Sequence, residues 1–327
     1  MNTFGRNFRL SIWGESHGPA LGIVLDGVPA GIPLSEEDFA TDIERRKGGK
    51  SGTTPRTEGD TPTLLSGIYE GHTTGAPLHI LFRNENTRSC DYAALASTPR
   101  PGHADWVAAQ KFGGYNDPRG GGHFSGRLTL PLVAAGVVAK KVLTHKGLDV
   151  TIGARIVELG GNSDSEAWPE LIAHAGSKGD SLGAIVECCA QGVPVGWGEP
   201  FFDSLEGELS HLIFAIPGVR GVEFGEGFES ARQMGSSHND PIIAPDGTTA
   251  SNNAGGINGG ISNGNPVVLR VAFKPTSSIA GTQHSLNVAT GKVEPMQVGG
   301  RHDVCFALRT PVVVEAVVAI VLANHAL

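Results

Sequence analysis

Cysteine is scarce and positive charge is in deficit, and both shortages narrow what the chain does. The four cysteines, Cys90, Cys188, Cys189 and Cys305, contain no CxxC pair, and the one adjacent pair is disfavoured for an ordinary disulfide. A reducing, cytoplasmic setting fits that pattern. Histidines at metal-ligand spacing are missing as well: His72 and His79 lie too far apart for an i,i+4 pair, and His302-Asp303 lacks a second ligand, so no metal site is expected. Gly120-Gly121-Gly122 has neither GxGxxG spacing nor a Walker lysine, which leaves a dinucleotide-binding fold unsupported. Gly14-Glu15-Ser16-His17-Gly18 carries the letters of Gly-x-Ser-x-Gly, but adjacent residues of an extended segment point to opposite faces, so Ser16 and His17 are not expected to form a hydrolase dyad. The formal net charge of −8 argues against generic attraction to nucleic acid or an anionic membrane. The start, MNTFGRNFRLSIWGES, has no continuous apolar run of the kind found in a secretory signal or membrane anchor.

What the chain has in excess is glycine, 47 of 327 residues, about twice average usage and without a collagen-like period. Many tight turns and backbone-lined sites follow. The densest stretch runs from Ser251 to Ser278, where a glycine- and asparagine-rich loop precedes an apolar segment that ends in Lys274-Pro275-Thr276-Ser277-Ser278. Such a loop can turn backbone N–H groups toward phosphate oxygens, and the lysine and three hydroxyls suit a phosphate or the carbonyls of a flavin ring. A plain surface loop has the same composition. Arginines collect early in the chain, at Arg45, Arg46, Arg56, Arg88, Arg100, Arg119 and Arg127, so any anion site is local.

Periodicity predicts strands at Phe8–Trp13, Leu21–Val28, Ile80–Phe82, Ala184–Ala190 with Val193, and Val267–Phe273. Helices are predicted at Glu36–Arg46 with Ser35 as N-cap, Ala104–Phe112, Leu130–Leu143, Glu166–Ser177 and Asp203–Ile213. The loop from Lys47 to Thr54 reads as mobile and 84–101 as irregular. Leu130–Leu143 has little polar face and belongs at the centre of the fold. Pro311–Leu327 is interrupted by Glu315 and reads as a buried or subunit-interface helix rather than a membrane span. No composition break or Pro/Ser-rich linker divides 1–327, which reads as a single domain.

Ser251–Ser278, Gly14-Glu15-Ser16-His17-Gly18 and Gly300-Arg301-His302-Asp303-Val304-Cys305 together resemble signature blocks of the chorismate synthase family. Arg100-Pro101-Gly102-His103-Ala104-Asp105 and Arg119-Gly120-Gly121-Gly122 extend the likeness over essentially the whole chain. The resemblance implies an α+β fold, an internally duplicated β-α-β sandwich that forms homotetramers. It also implies a carbon-oxygen lyase that removes phosphate and a C6 proton from 5-enolpyruvylshikimate 3-phosphate by 1,4-anti elimination to give chorismate. Reduced FMN (FMNH2) is required without net consumption.

Matching family positions picks His17 as general acid, His103 as the residue that protonates or hydrogen-bonds the reduced flavin, and Asp303 as the residue that tunes flavin N5. Substrate contacts fall to Ser16, Arg46, Arg100, Arg127 and Arg309. Flavin contacts fall to Ser125, Gly259, Lys274, Pro275, Thr276, Ser277, Ser278 and Arg301. The chain departs from the family pattern at His123 and Phe124, where an arginine and a serine are usual; His123 can donate to a flavin or phosphate oxygen and Phe124 can pack on the ring. Gly52 stands near the place of a second basic contact, which weakens NADPH use and points to an external flavin reductase or other reductant. Two other classes stay open: a flavin-binding module without turnover, and a conventional flavin oxidoreductase.

Overall fold

Two antiparallel sheets enclose a layer of apolar helices, and the order of their strands is the same in each half of the chain. The computed structural model describes residues 1–56, 58–86, 97–300 and 302–327. The first half contains β1 (Thr3–Phe4), β2 (Arg9–Gly14), β3 (Ala20–Asp26), α1 (Ala40–Arg46), β4 (Pro62–Ser66), a short pair β5 (Ile68–Tyr69) and β6 (His72–Thr73), β7 (Leu78–Arg83), α2 (Asp105–Lys111) and α3 (Thr129–His145). The second contains β8 (Thr151–Leu159), α4 (Trp168–Ser177), β9 (Ala184–Gln191), α5 (Leu205–Ile213), β10 (Val219–Phe224), α6 (Gly235–His238), a short pair β11 (Ile257–Asn258) and β12 (Ile261–Ser262), β13 (Val267–Phe273), a hairpin β14 (Gln283–Asn287) and β15 (Lys292–Met296), and α7 (Pro311–Ala326). The sheets run β1-β2-β3-β7-β4 and β10-β13-β9-β8. With the edge strand β1 set aside, both follow the pattern first, second, fourth, third. Taken over the main sheet strands and the helices α1, α3, α5 and α7, each half repeats strand, strand, helix, strand, strand, long helix, with α2, α4 and α6 as additions, and the expected internal duplication is visible in the topology.

Alternation fixes which face of each strand is buried. Leu21, Ile23 and Leu25 of β3 stand opposite Phe82, Ile80 and Leu78 of β7, and all six are fully buried. In the second sheet Val267, Leu269, Val271 and Phe273 pair with Ala190, Cys188, Val186 and Ala184 and are likewise buried. A one-residue slip in either register would turn these rows to solvent. Between the sheets α3 and α7 are apolar almost all round, with Val312 to Asn324 buried, as a central layer requires.

The two helices cross where Gly136 faces Ala316; a Cβ at Gly136 would overlap the Ala316 side chain and sit 2.5 Å from its Cα. Glu315, buried in the same helix, accepts from both Arg45 guanidinium nitrogens at 2.7 Å and from the Ala154 N–H at 2.9 Å. A paired carboxylate in a helix core is structural here, and it suits neither lipid nor an empty interior. Among the described residues only Arg119–His145 is long and apolar enough to cross a membrane, and most of it is buried in the fold.

The predicted elements fall largely where periodicity placed them. Ser35 forms the expected capping box with Asp38, after which a 3₁₀ turn leads into α1. Three differences have physical causes. The Lys47–Thr54 loop is closed by its own bonds, Gly49 N–H to Thr54 O at 2.9 Å and Thr53 N–H to Lys50 O at 2.9 Å, rather than open. Val193 lies beyond the end of β9. Strands β4, β8 and β10 and the β14–β15 hairpin escaped sequence reading, since each alternates with polar or exposed residues. Cys188, Cys189 and Cys305 carry free thiols; Cys90 and Arg88 lie outside the described residues.

Candidate functional site

A cavity of about 750 Å³ opens at one end of the helix layer and takes residues from both halves. Its floor is built by α1, the loop before β4 and the turn before α3. Arg46, at the last turn of α1, and Arg127, in the 3₁₀ turn before α3, are both buried and share one carboxylate: Arg46 Nη2 lies 2.9 Å from Asp60 Oδ2, and Arg127 Nη1 lies 2.6 Å from Asp60 Oδ1. Burial pushes the Arg46 guanidinium down to about 10, still charged at neutral pH. Burial alone would raise the Asp60 carboxyl, but the charges and hydrogen bonds of the two arginines hold it below the usual carboxylate range. Arg46 Nε, Arg127 Nη2 and Ser16 Oγ are buried without a hydrogen-bond partner. Buried donors of this kind carry a desolvation cost, and an anion filling the cavity would satisfy them.

The imidazoles are positioned by the loop 119–122. Gly120, Gly121 and Gly122 have φ of 60°, 81° and 54°, a run of left-handed backbone that residues with a Cβ resist. A Cβ on Gly120 would sit 2.6 Å from His17 Nε2 and 2.9 Å from Ser16 Oγ. His17 is thus not itself a lining residue; it stands behind Gly120, where the missing side chain leaves room for its ring. Burial lowers its pKa, and the positive charges of Arg56 and Arg119 lower it further against weaker opposition from Asp117 and Glu58. His103 does line the cavity. Its Nδ1 is 2.6 Å from Asp105 Oδ1, and Arg100 Nη2 approaches both that oxygen, at 2.8 Å, and His103 Nδ1, at 3.0 Å. Because a guanidinium only donates, we assign the Nδ1 proton as donated to Asp105, with Arg100 sharing the same oxygen. Burial would raise the Asp105 carboxyl, but the hydrogen bonds from Arg100 and His103 hold it well below the usual range.

The opposite wall comes from the end of β13. Ser277 donates to Gly102 O at 2.8 Å and receives Lys274 Nζ; Ser278 Oγ accepts from Arg100 Nη1 at 2.9 Å. Two of the three hydroxyls therefore clamp the 100–103 segment to the second half, and the Thr276 hydroxyl is the one buried without a partner. Burial lowers the Lys274 pKa, and the nearby charges of Arg220 and Arg100 add to the effect. An anion placed among them would relieve that repulsion.

Fourteen of the residues singled out from sequence line this one cavity: Ser16, Arg46, Arg100, His103, His123, Phe124, Ser125, Arg127, Lys274, Thr276, Ser277, Ser278, Asp303 and Arg309. Pro275 does not, because its ring turns toward Gly183. Gly259 does not, since it sits on the turn between β11 and β12. Arg301 lies outside the described residues. Asp303 is paired with Arg309, at 2.7 and 3.1 Å, and also accepts from the Thr54 N–H at 2.8 Å. His123 turns its ring nitrogens to Gly14 O at 2.7 Å and Asn2 Oδ1 at 3.1 Å, so it braces β2 rather than offering a free donor. Phe124 contacts Phe112 at 6.4 Å and leaves the cavity open. Gly52 packs against Ile172 and Leu308, and its carbonyl accepts from the Cys305 N–H at 2.9 Å. A longer side chain there would meet apolar packing.

Sequence reading missed Asp60, the Arg56–Glu58 pair, Arg220 and the apolar strip Phe214–Val219, all on the cavity wall. Asp105 had a signal, a carboxylate two residues after His103; the others had none.

A family model described as chorismate synthase matches residues 8–327. The chorismate synthase of Chitinophaga pinensis is 56% identical over 327 residues, covering 100% of this chain and 97% of that protein. The chorismate synthase of Korarchaeum cryptofilum is 45% identical over 349 residues, covering 98% and 96%. A crystal structure of a chorismate synthase superposes with a TM-score of 0.74 at 28% identity, covering 98% of this chain and 92% of the other. Sequence and fold thus agree over nearly the whole chain, and the chain belongs to the chorismate synthase family.

Proposed function

We propose that the protein is a carbon-oxygen lyase that eliminates phosphate from 5-enolpyruvylshikimate 3-phosphate to form chorismate, with reduced FMN bound but not consumed. The observation that carries the reading is a cavity lined by Ser16, Arg46, Arg127 and His103, in which Arg46 Nε, Arg127 Nη2 and Ser16 Oγ are buried without a hydrogen-bond partner. A substrate with one phosphate and two carboxylates needs such convergent donors. Arg46, Arg127 and Ser16 bind its anionic groups, and Arg309, already tied to Asp303, closes that side. His17 hands a proton to the departing phosphate oxygen across the gap left by Gly120, while the cations stabilise the charge that develops there. The unpartnered Thr276 hydroxyl, Lys274 and the apolar strip Phe214–Val219 fit a flavin with a phosphate tail, and they are the residues that would hold it. Reduced flavin supplies an electron-rich ring beside the substrate. His103, oriented by Asp105, holds a proton toward that ring.

The chain is read as one domain working in the cytoplasm as a homotetramer. With Gly52 enclosed by Ile172 and Leu308, the reductant is supplied from outside.

Purified protein mixed anaerobically with chemically reduced FMN and the enolpyruvyl substrate should release many chorismates per flavin. No product would end the proposal, and one product per reductant would make the protein an oxidoreductase.

The pH profile carries a sign. His17 must be protonated to act as an acid, and its pKa in the free protein lies below 6.5. The rate constant kcat/KM should therefore fall as pH rises through a midpoint below 6.5. An incoming phosphate favours the imidazolium, so the same limb should appear at higher pH in kcat. His17→Gln should abolish the limb; its persistence would assign it to the substrate phosphate and remove His17 from the role.

A further inference from the structure

Asp60 is a carboxylate on a cavity wall rich in cations, and three observations set it apart. Its side chain is almost fully buried while facing two buried guanidiniums, one from α1 and one from the turn before α3. Its backbone sits at φ 53°, a conformation that side chains other than glycine seldom adopt. Each guanidinium it grips keeps another nitrogen unpartnered, Nε of Arg46 and Nη2 of Arg127.

The rest of the neighbourhood shows how complete this arrangement is. Arg127 Nε donates to Asn84 Oδ1 at 2.9 Å, and Asn84 Nδ2 donates to Glu15 O and Gly18 O at 3.0 and 2.8 Å, so that guanidinium is also tied to the loop that carries Ser16 and His17. Arg46 Nη1 reaches Thr129 Oγ1 at 3.3 Å. One carboxylate thus bridges two cations of like charge, occupies one nitrogen of each and leaves a local excess of positive charge. Without it the two guanidiniums would repel one another, and long side chains with rotamer freedom would separate.

We infer that Asp60 is a positioning residue: it fixes the spacing of Arg46 and Arg127, so that these two cavity-lining guanidiniums act together on one anionic group in the cavity. The identity of that anion rests on the lyase reading, but the geometry does not.

The inference makes a prediction opposite in sign to simple charge counting. Removing a carboxylate beside an anion site should tighten anion binding if only net charge mattered. If Asp60 positions the arginines, Asp60→Asn should weaken binding. Calorimetry with inorganic phosphate as the probe is expected to show at least about a tenfold loss of affinity in Asp60→Asn, the order of 1.4 kcal/mol, with the melting temperature changed by no more than a few degrees. Asp60→Gly, which accepts φ 53° without strain, should show the same loss and covers the case in which the asparagine variant does not fold. In turnover assays the substrate KM should rise about as much, with kcat affected less. Phosphate bound as tightly as in the unaltered protein, or more tightly, by either folded variant would overturn the inference. Failure of both variants to fold would also overturn it, by assigning Asp60 to the core. Absence of lyase activity in the unaltered protein would sink the functional reading alone, because the phosphate measurement needs no turnover.

Discussion

His17→Ala is expected to lower turnover by about 100-fold or more, the usual range for a lost acid-base group, with the fold retained. Retention is expected because His17 sits at a loop between β2 and β3, outside the paired rows of the first sheet, and its ring occupies space beside Gly120 rather than in the helix layer. His103→Ala should cost a similar factor for a different reason. The imidazole and the Arg100 guanidinium both meet the Asp105 carboxylate, so removing the imidazole leaves Arg100 in place and deletes only the proton-holding group. Circular dichroism would check the fold, and anaerobic single-turnover kinetics would check the rates. Unchanged rates in both variants would remove the two histidines from the chemistry. A loss in His103→Ala that more flavin restores would confine that residue to binding.

The second large effect concerns stability. An alanine in place of a mid-helix glycine ordinarily stabilises a helix by roughly 1 kcal/mol. At Gly136 the sign should reverse, because the added methyl overlaps Ala316 of the facing helix and the closely packed core cannot yield without moving an entire helix. Gly136→Val is expected to cost about 3 kcal/mol, the upper part of the range for overpacking. Thermal unfolding would show it as a fall of several degrees in Tm. Ala316→Gly, introduced beside Gly136→Ala, should return part of the loss, since the two positions share one contact and do not behave additively. An unaltered or raised Tm for Gly136→Ala would show that the helices separate easily.

The legible parts of the molecule were those whose cause is local. Val267–Phe273 reads as a strand because branched apolar residues recur every second position, and α3 and α7 read as core because their long apolar runs leave almost no polar face, Glu315 being the exception in α7. The hairpin from Gln283 to Met296 carries no such signal; its residues are exposed or half-buried, and it is held by its own strand pairing and by hydrogen bonds to Ser97 and Pro99. The site divides the same way. Likeness to a known family brought out Arg46, Arg127 and His103, and the cavity gathers them. Asp60 was invisible, because its partners are 14 and 67 residues away and a lone aspartate in a turn signals nothing by itself. The direction of His17 was equally hidden, since Gly120, across a separation of about a hundred residues, decides what its ring can reach.

The repeated strand order has a historical consequence. A chain consisting of either half alone would leave one face of its long helix bare, and the simplest way to cover it is a second copy of the same chain. A symmetric ancestor of this kind would have offered two equal clefts. Fused copies would be free to diverge, and the cleft of this chain draws Arg46, Arg100, Arg127 and His103 from the first half and Arg220, Lys274, Arg309 and the hydroxyls of Thr276, Ser277 and Ser278 from the second.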